Sequence, residues 1–104
     1  MTSYAWVHEI RPGYEVEYKH RHELIWPEML EALKDAGISN YNIFRHGLTL
    51  FGYFETEDLD ATTAVLSENE TITRWREFMG PIMKIESDRG TKFPYLLTKQ
   101  FVMK

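Results

Sequence analysis

The chain has 104 residues, 43% hydrophobic and 14% aromatic, with no cysteine and a formal net charge of −4. That is the size and composition of one globular domain, residues 1–104, and it excludes a disulfide framework, a zinc–thiolate centre and a thiol nucleophile. Its lysines and arginines are scattered through a mildly acidic sequence, which argues against nucleic acid or an anionic membrane as a partner and for a small or neutral ligand. The opening MTSYAWVHEI has neither a basic n-region nor an apolar h-region, and no apolar run approaches the roughly 20 residues of a membrane span, so a cytoplasmic protein is expected.

Tyr4 to Ile10 is rich in aromatic and β-branched residues and ends at Pro12-Gly13, which reads as a strand and a turn. A helix is expected from Tyr14 to about Ile25. Pro27 disfavours helical geometry at Trp26 and removes a backbone donor, so the helix either kinks there or restarts with Pro27 in its first turn. Met29, Leu30 and Leu33 recur at helical spacing, and Gly37 is a natural stop. Two strand-like runs follow, Tyr41 to Arg45 and Leu48 to Glu55, with His46-Gly47 as a tight hairpin turn. A second helical region runs from about Leu59 to Met79, with Asn69 or Ser67 as a cap for a fresh start inside it. Gly80-Pro81 ends it, the polar stretch from Lys84 to Lys92 reads as a loop, and Tyr95 to Val102 reads as the last strand.

The order is βαββαβ, which gives an α+β, ferredoxin-like fold: a four-stranded antiparallel sheet with both helical regions on one face. In Leu48 to Phe54 one face carries Leu48, Leu50 and Phe54, and the other carries Phe51 and Tyr53. A sheet wetted on one side alternates apolar with polar. This one is apolar or aromatic on both sides, so its second face needs a cover. Sheet-to-sheet homodimerisation is the simplest cover and a ligand pocket the next.

The stretch Tyr18-Lys19-His20-Arg21-His22-Glu23-Leu24-Ile25-Trp26-Pro27-Glu28 carries the most chemistry. Tyr18 and His22 are four apart and share a helix face, and Trp26 continues the line if the helix is unbroken. Such a row suits a sugar, whose ring lies on an aromatic face while its hydroxyls bond to phenol and imidazole. Taken alone, such a histidine is more often structural than catalytic. His20 points about 160° away from His22 on ideal geometry and is expected in solvent. His8, in a strand, and His46, in a turn, form no metal-type pair at helical spacing, so no metal site is expected. In Arg74-Trp75-Arg76-Glu77-Phe78 an amphipathic helix would bury Trp75, Phe78 and Met79 and leave the charges solvated. Tyr41 on its own reads as a cross-strand packing residue. Asp58 and Asp60 flank a helix start, where capping and the helix dipole account for them. No phosphate loop, nucleophile elbow or Walker motif is present, so nucleotide cofactors have no support.

The segment from Tyr18 through Tyr41, with HELIWPEM and GISNYNIF inside it, resembles the L-rhamnose mutarotase family, and the likeness extends over nearly the whole chain. The resemblance implies a dimeric, ferredoxin-like, cofactor-free enzyme that interconverts the α and β anomers of a deoxyhexose. It implies that His22 is the catalytic proton donor and that Tyr18 and Tyr41 bind substrate. Trp75 matches the first member of a tryptophan pair that contacts the sugar. Arg76 stands in place of the second, exchanging a stacking surface for a charged, multi-donor group that either bonds sugar hydroxyls or points to water. The implied substrate is L-rhamnose, with L-fucose, L-mannose and L-lyxose open because of Arg76. In the implied mechanism His22 is the acid toward the ring oxygen and the base on closure. Two other readings stand beside it: a dimeric ferredoxin-like monooxygenase or haem-degrading protein, with His22 at the haem, and a non-catalytic ligand-binding dimer.

Overall fold

The computed structural model describes residues 1–84 and 95–104. Strand β1 is Thr2–Ile10, helix α1 Glu15–Glu23, helix α2 Pro27–Asp35, strand β2 Ser39–His46, strand β3 Thr49–Thr56, helix α3 Leu59–Glu68 and helix α4 Glu70–Met79. A 3-10 turn at Gly80–Ile82 leads into β4, Met83–Lys84, and β5 is Tyr95–Leu96. The sheet is antiparallel in the order β2-β3-β1, with both β4 and β5 on the free edge of β1. This is the expected ferredoxin-like arrangement, with each helical region divided in two.

The divisions have local causes. Trp26, just before Pro27, has φ −62° and ψ 135°, extended geometry that a residue preceding proline favours, so the helix restarts rather than kinks. Asn69 caps the second restart: its side chain accepts from Ile72 N at 3.0 Å. Asp58 does the same for α3 through Ala61 N at 3.1 Å. Asn69→Ala is expected to cost about 1 kcal/mol, read as a shift of the urea unfolding midpoint with an unchanged slope. Gly37 ends α2 in the left-handed region, φ +88°. Behind it Thr62 Oγ1 donates to Ala36 O at 2.7 Å, and Thr56 and Thr62 share a 2.7 Å hydroxyl contact, so a buried network joins α2, β3 and α3.

Two expectations need correction. The hairpin loop is Gly47-Leu48 rather than His46-Gly47: His46 pairs with Thr49, and Gly47 takes φ +61°. The last strand is far shorter than Tyr95 to Val102. Only Tyr95 and Leu96 pair with β1, Leu97 N adds one bond to Ala5 O, and residues 97–104 are irregular. Phe101, Val102 and Met103 are consecutive and all exposed, so no alternation gives them a face to bury. Lys84, expected in the loop, pairs with Glu9 in β4, and the rest of that loop lies outside the described residues.

The helix-facing side of the sheet carries Trp6, Ile10, Leu50 and Phe54, packed with Met29, Ile38, Leu66, Ile72, Trp75 and Met79 into one core. On the other face Phe44 and Phe51 pair in register and remain 62% and 39% exposed, with Val7 across from Phe51. The two-sided apolar pattern is therefore real. Among the described residues no helix is long and apolar enough to cross a membrane.

Candidate active site

A cavity of about 750 Å³ opens between the sheet and α1, α2 and α4. It lies within the range of small-molecule sites. Tyr18, His22, Tyr41, Trp75 and Arg76, distant in sequence, all line it.

Tyr18 and His22 stack one turn apart on α1, with ring centroids at 4.4 Å. His22 Nδ1 lies 3.0 Å from Tyr18 O. A carbonyl only accepts, so this bond assigns the hydrogen to Nδ1 and leaves Nε2 as the nitrogen for chemistry. Burial pushes the His22 pKa below its ordinary 6.5, partly opposed by the bond to the Tyr18 carbonyl. The imidazole is therefore mainly neutral at neutral pH, and its conjugate acid is a stronger proton donor than free histidine.

α1 buries little besides Tyr18, so it needs an anchor. Arg21 supplies one. Its Nε pairs with Glu17 Oε1 at 3.0 Å, Nη1 donates to Phe78 O at 2.6 Å, and its guanidinium lies 4.2 Å from the centre of the Phe78 ring. This clamps α1 to the end of α4 and sets His22 edge-on to Trp75, centroids 5.4 Å apart. Trp26 does not continue the Tyr18–His22 row along one helix, because the helix breaks before it. It packs behind the site, edge-on to Trp75 at 5.1 Å. Trp75 and Met79 are buried as expected, but Phe78 is 41% exposed, on the Arg21 side of α4. His20 is exposed.

Tyr41 is more than a packing residue. Trp6 Nε1 donates to its hydroxyl oxygen at 3.1 Å, so the Tyr41 hydrogen is free to point elsewhere. Burial pushes the Tyr41 pKa up to about 12, with the indole bond acting against the rise. Burial and the nearness of Tyr41 push Tyr18 well above the usual phenol range. Both phenols therefore stay protonated at working pH and serve as neutral hydrogen-bonding groups, not as bases. Burial also lowers the Arg76 pKa from its ordinary value.

Sequence reasoning missed Trp6, which lines the cavity and orients Tyr41. Its signal was the inward alternation Tyr4, Trp6, His8, Ile10. Trp6 lies over Gly52, its register partner on β3, and a Cβ there would overlap the indole. Among the described residues no group of three or more His, Asp or Glu is placed to hold a metal ion.

A family profile described as L-rhamnose mutarotase matches residues 3–101. The L-rhamnose mutarotase of Listeria monocytogenes serotype 4b is 44% identical over 86 residues, 81% of this chain and 82% of that protein. That of Bacillus subtilis is 44% identical over 89 residues, 84% and 82% of the two chains. Among solved structures, the L-rhamnose mutarotase FA22100 from Formosa agariphila superimposes with a TM-score of 0.80 at 30% identity, covering all of both chains. Tetracenomycin F2 cyclase from Streptomyces glaucescens, 11% identical with a TM-score of 0.65 over 100% of this chain and 98% of its own, shares the fold alone. This chain belongs to the L-rhamnose mutarotase family, whose members are anomer-interconverting isomerases.

Proposed function

We propose that the chain, as one domain spanning residues 1–104, interconverts the α and β anomers of L-rhamnose, with His22 as the proton-transfer group. The observation that carries this reading is the half-buried imidazole whose Nδ1 is held by the Tyr18 carbonyl, leaving Nε2 for substrate in an aromatic cavity. Protonated Nε2 delivers its proton to the ring oxygen. The C1–O5 electron pair moves to that oxygen, the anomeric hydroxyl releases its proton to water, and C1=O1 forms. Rotation about C1–C2 presents the other carbonyl face. Closure reverses the transfers, with Nε2 taking the proton from the O5 hydroxyl. Tyr18 and Tyr41 orient sugar hydroxyls as neutral phenols, Trp75 packs against the apolar ring face or the C6 methyl, and Arg76 donates to a hydroxyl at the cavity edge.

A homodimer is part of the same proposal. The exposed pair Phe44 and Phe51, with Val7 beside them, gives the outer sheet face an apolar strip for a second copy. The proposed compartment is the cytoplasm, where free monosaccharides are metabolised.

The test is saturation-transfer NMR on L-rhamnose near neutral pH. Saturating one anomeric proton in the presence of the protein is expected to deplete the signal of the other anomer faster than in buffer. Binding of the sugar with exchange no faster than in buffer would make the protein a binding module instead.

A further inference from the structure

The mechanism above uses the aromatic end of the cavity. Most of the remaining lining is apolar, but one part of it carries charged and ionisable side chains. On β1, His8 follows Trp6 by two residues on the same face. Register sets His8 opposite Leu50 and Leu50 opposite Arg45, so the three form one row across β1, β3 and β2, and all line the cavity. From α1 come Glu15 and Lys19, one turn apart, and α4 adds Arg76. Among the described lining residues, Lys19 and Arg45 share this part of the cavity with one carboxylate, Glu15, in a chain whose net charge is −4. The acidic average that argues for a neutral ligand does not hold locally.

The hydrogen bonding leaves this rim rich in donors. Glu15 Oε1 is taken up by Gly13 N at 2.8 Å. Arg45 Nη1 donates to Gly47 O at 2.7 Å, which leaves most of the fork of N–H groups available. His8 Nδ1 is engaged by the Glu9 backbone, 2.9 Å from Glu9 N and 3.1 Å from Glu9 O, which leaves Nε2 as the ring nitrogen without a partner among the described residues. Among the described residues the ion pairs are Arg21–Glu17 and Lys84–Glu9, so neither Lys19 nor Arg45 has an acidic partner there. A neutral deoxyhexose needs no such set. Anionic oxygens on a sugar do, because charge-assisted bonds to guanidinium and ammonium are about twice as strong as neutral ones.

We infer that this basic rim, His8, Lys19 and Arg45, binds an anionic substituent on the sugar, a carboxylate or a sulfate ester, so that acidic sugars with a free anomeric centre are substrates of the same site. The inference rests on the mutarotase reading. The ring carbons and hydroxyls undergo the same opening and closure, and the anionic group stays intact and is held at the rim.

The test compares anomer exchange and NMR-titrated affinity for three sugars: L-rhamnose, L-mannuronate, in which a carboxylate replaces the methyl group, and L-rhamnose carrying one sulfate ester. Each is measured at low and high salt with the native protein and with Lys19→Gln/Arg45→Gln. At least one acidic sugar is expected to bind about tenfold or more tighter than L-rhamnose at low salt and to exchange faster than in buffer. That advantage is expected to shrink at high salt. It is also expected to vanish in the double variant, whose L-rhamnose exchange stays at the native rate and so reports an intact fold. Whether the carboxylate or the sulfate gains identifies the anion. Acceleration of L-rhamnose alone, or an acidic-sugar advantage untouched by the double variant, would overturn the inference and leave the rim as solvated charge. No exchange of any sugar, L-rhamnose included, would remove the mutarotase reading along with it.

Discussion

His22→Gln is expected to slow L-rhamnose anomer exchange by about 10²–10⁴-fold, toward the rate in buffer, while the protein stays folded. Glutamine roughly fills the imidazole's volume, and its amide can donate to the Tyr18 carbonyl as Nδ1 does. The packing against Tyr18 and Trp75 should therefore survive. What glutamine lacks is a group that gains and loses a proton near neutral pH. Neither buried phenol can take over, since Tyr18 and Tyr41 are both held protonated. His20→Gln is the control: His20 is exposed on the same helix, and its exchange rate should remain native. Circular dichroism melts on both variants separate lost chemistry from lost structure.

Gly52→Ala should produce the largest loss of stability from adding a single methyl group. A Cβ at this position would overlap the Trp6 indole, and β3 is a central strand with β1 and β2 on either side. The backbone has no room to retreat, so Trp6 must leave its place. Overpacking of this kind costs about 1–3 kcal/mol, or roughly 4–8 °C in Tm per kcal/mol for a domain of this size. The effect reaches the site, because a displaced Trp6 no longer donates to Tyr41. Tryptophan emission should shift, and the double variant Gly52→Ala/Trp6→Leu should recover part of the lost stability, since the two sites share one contact. A Gly52→Ala protein as stable as the native one, with unchanged emission, would refute the close approach of Trp6 to β3.

What could be read in the sequence follows the range of each interaction. Tyr18 and His22 interact at i and i+4 on one helix, so their pairing was visible in the spacing. The stop at Gly37 is local backbone chemistry and is legible in the sequence, while at Pro27 a kink or a restart and at the second break Ser67 or Asn69 both fit the sequence, and the structure selects the restart and Asn69. The bond from Trp6 to Tyr41 spans 35 residues and depends on the register of three strands, which no local pattern encodes. The Arg21 clamp on Phe78 O spans 57 residues, and it explains why Phe78 faces outward rather than into the core. Arg45 and His8 are far apart in sequence, and only strand register sets them in one row with Leu50. Phe101 and Val102 are apolar, which makes Tyr95 to Val102 read as one long strand. Strand formation also needs an open edge and a face to bury, and the edge of β1 is shared between two short pieces.

The central claim is that Nε2 of His22 moves the proton that opens the ring. Its most direct test is the L-rhamnose exchange rate from about pH 5 to about pH 8, native protein beside His22→Gln. Burial lowers the His22 pKa, so the acid form accumulates only below 6.5. If that form donates to the ring oxygen, the native rate should rise as pH falls and level off below the depressed pKa, while the variant tracks buffer throughout. A variant as fast as the native protein across the range, or a native rate that falls as the imidazole gains its proton, would contradict the claim.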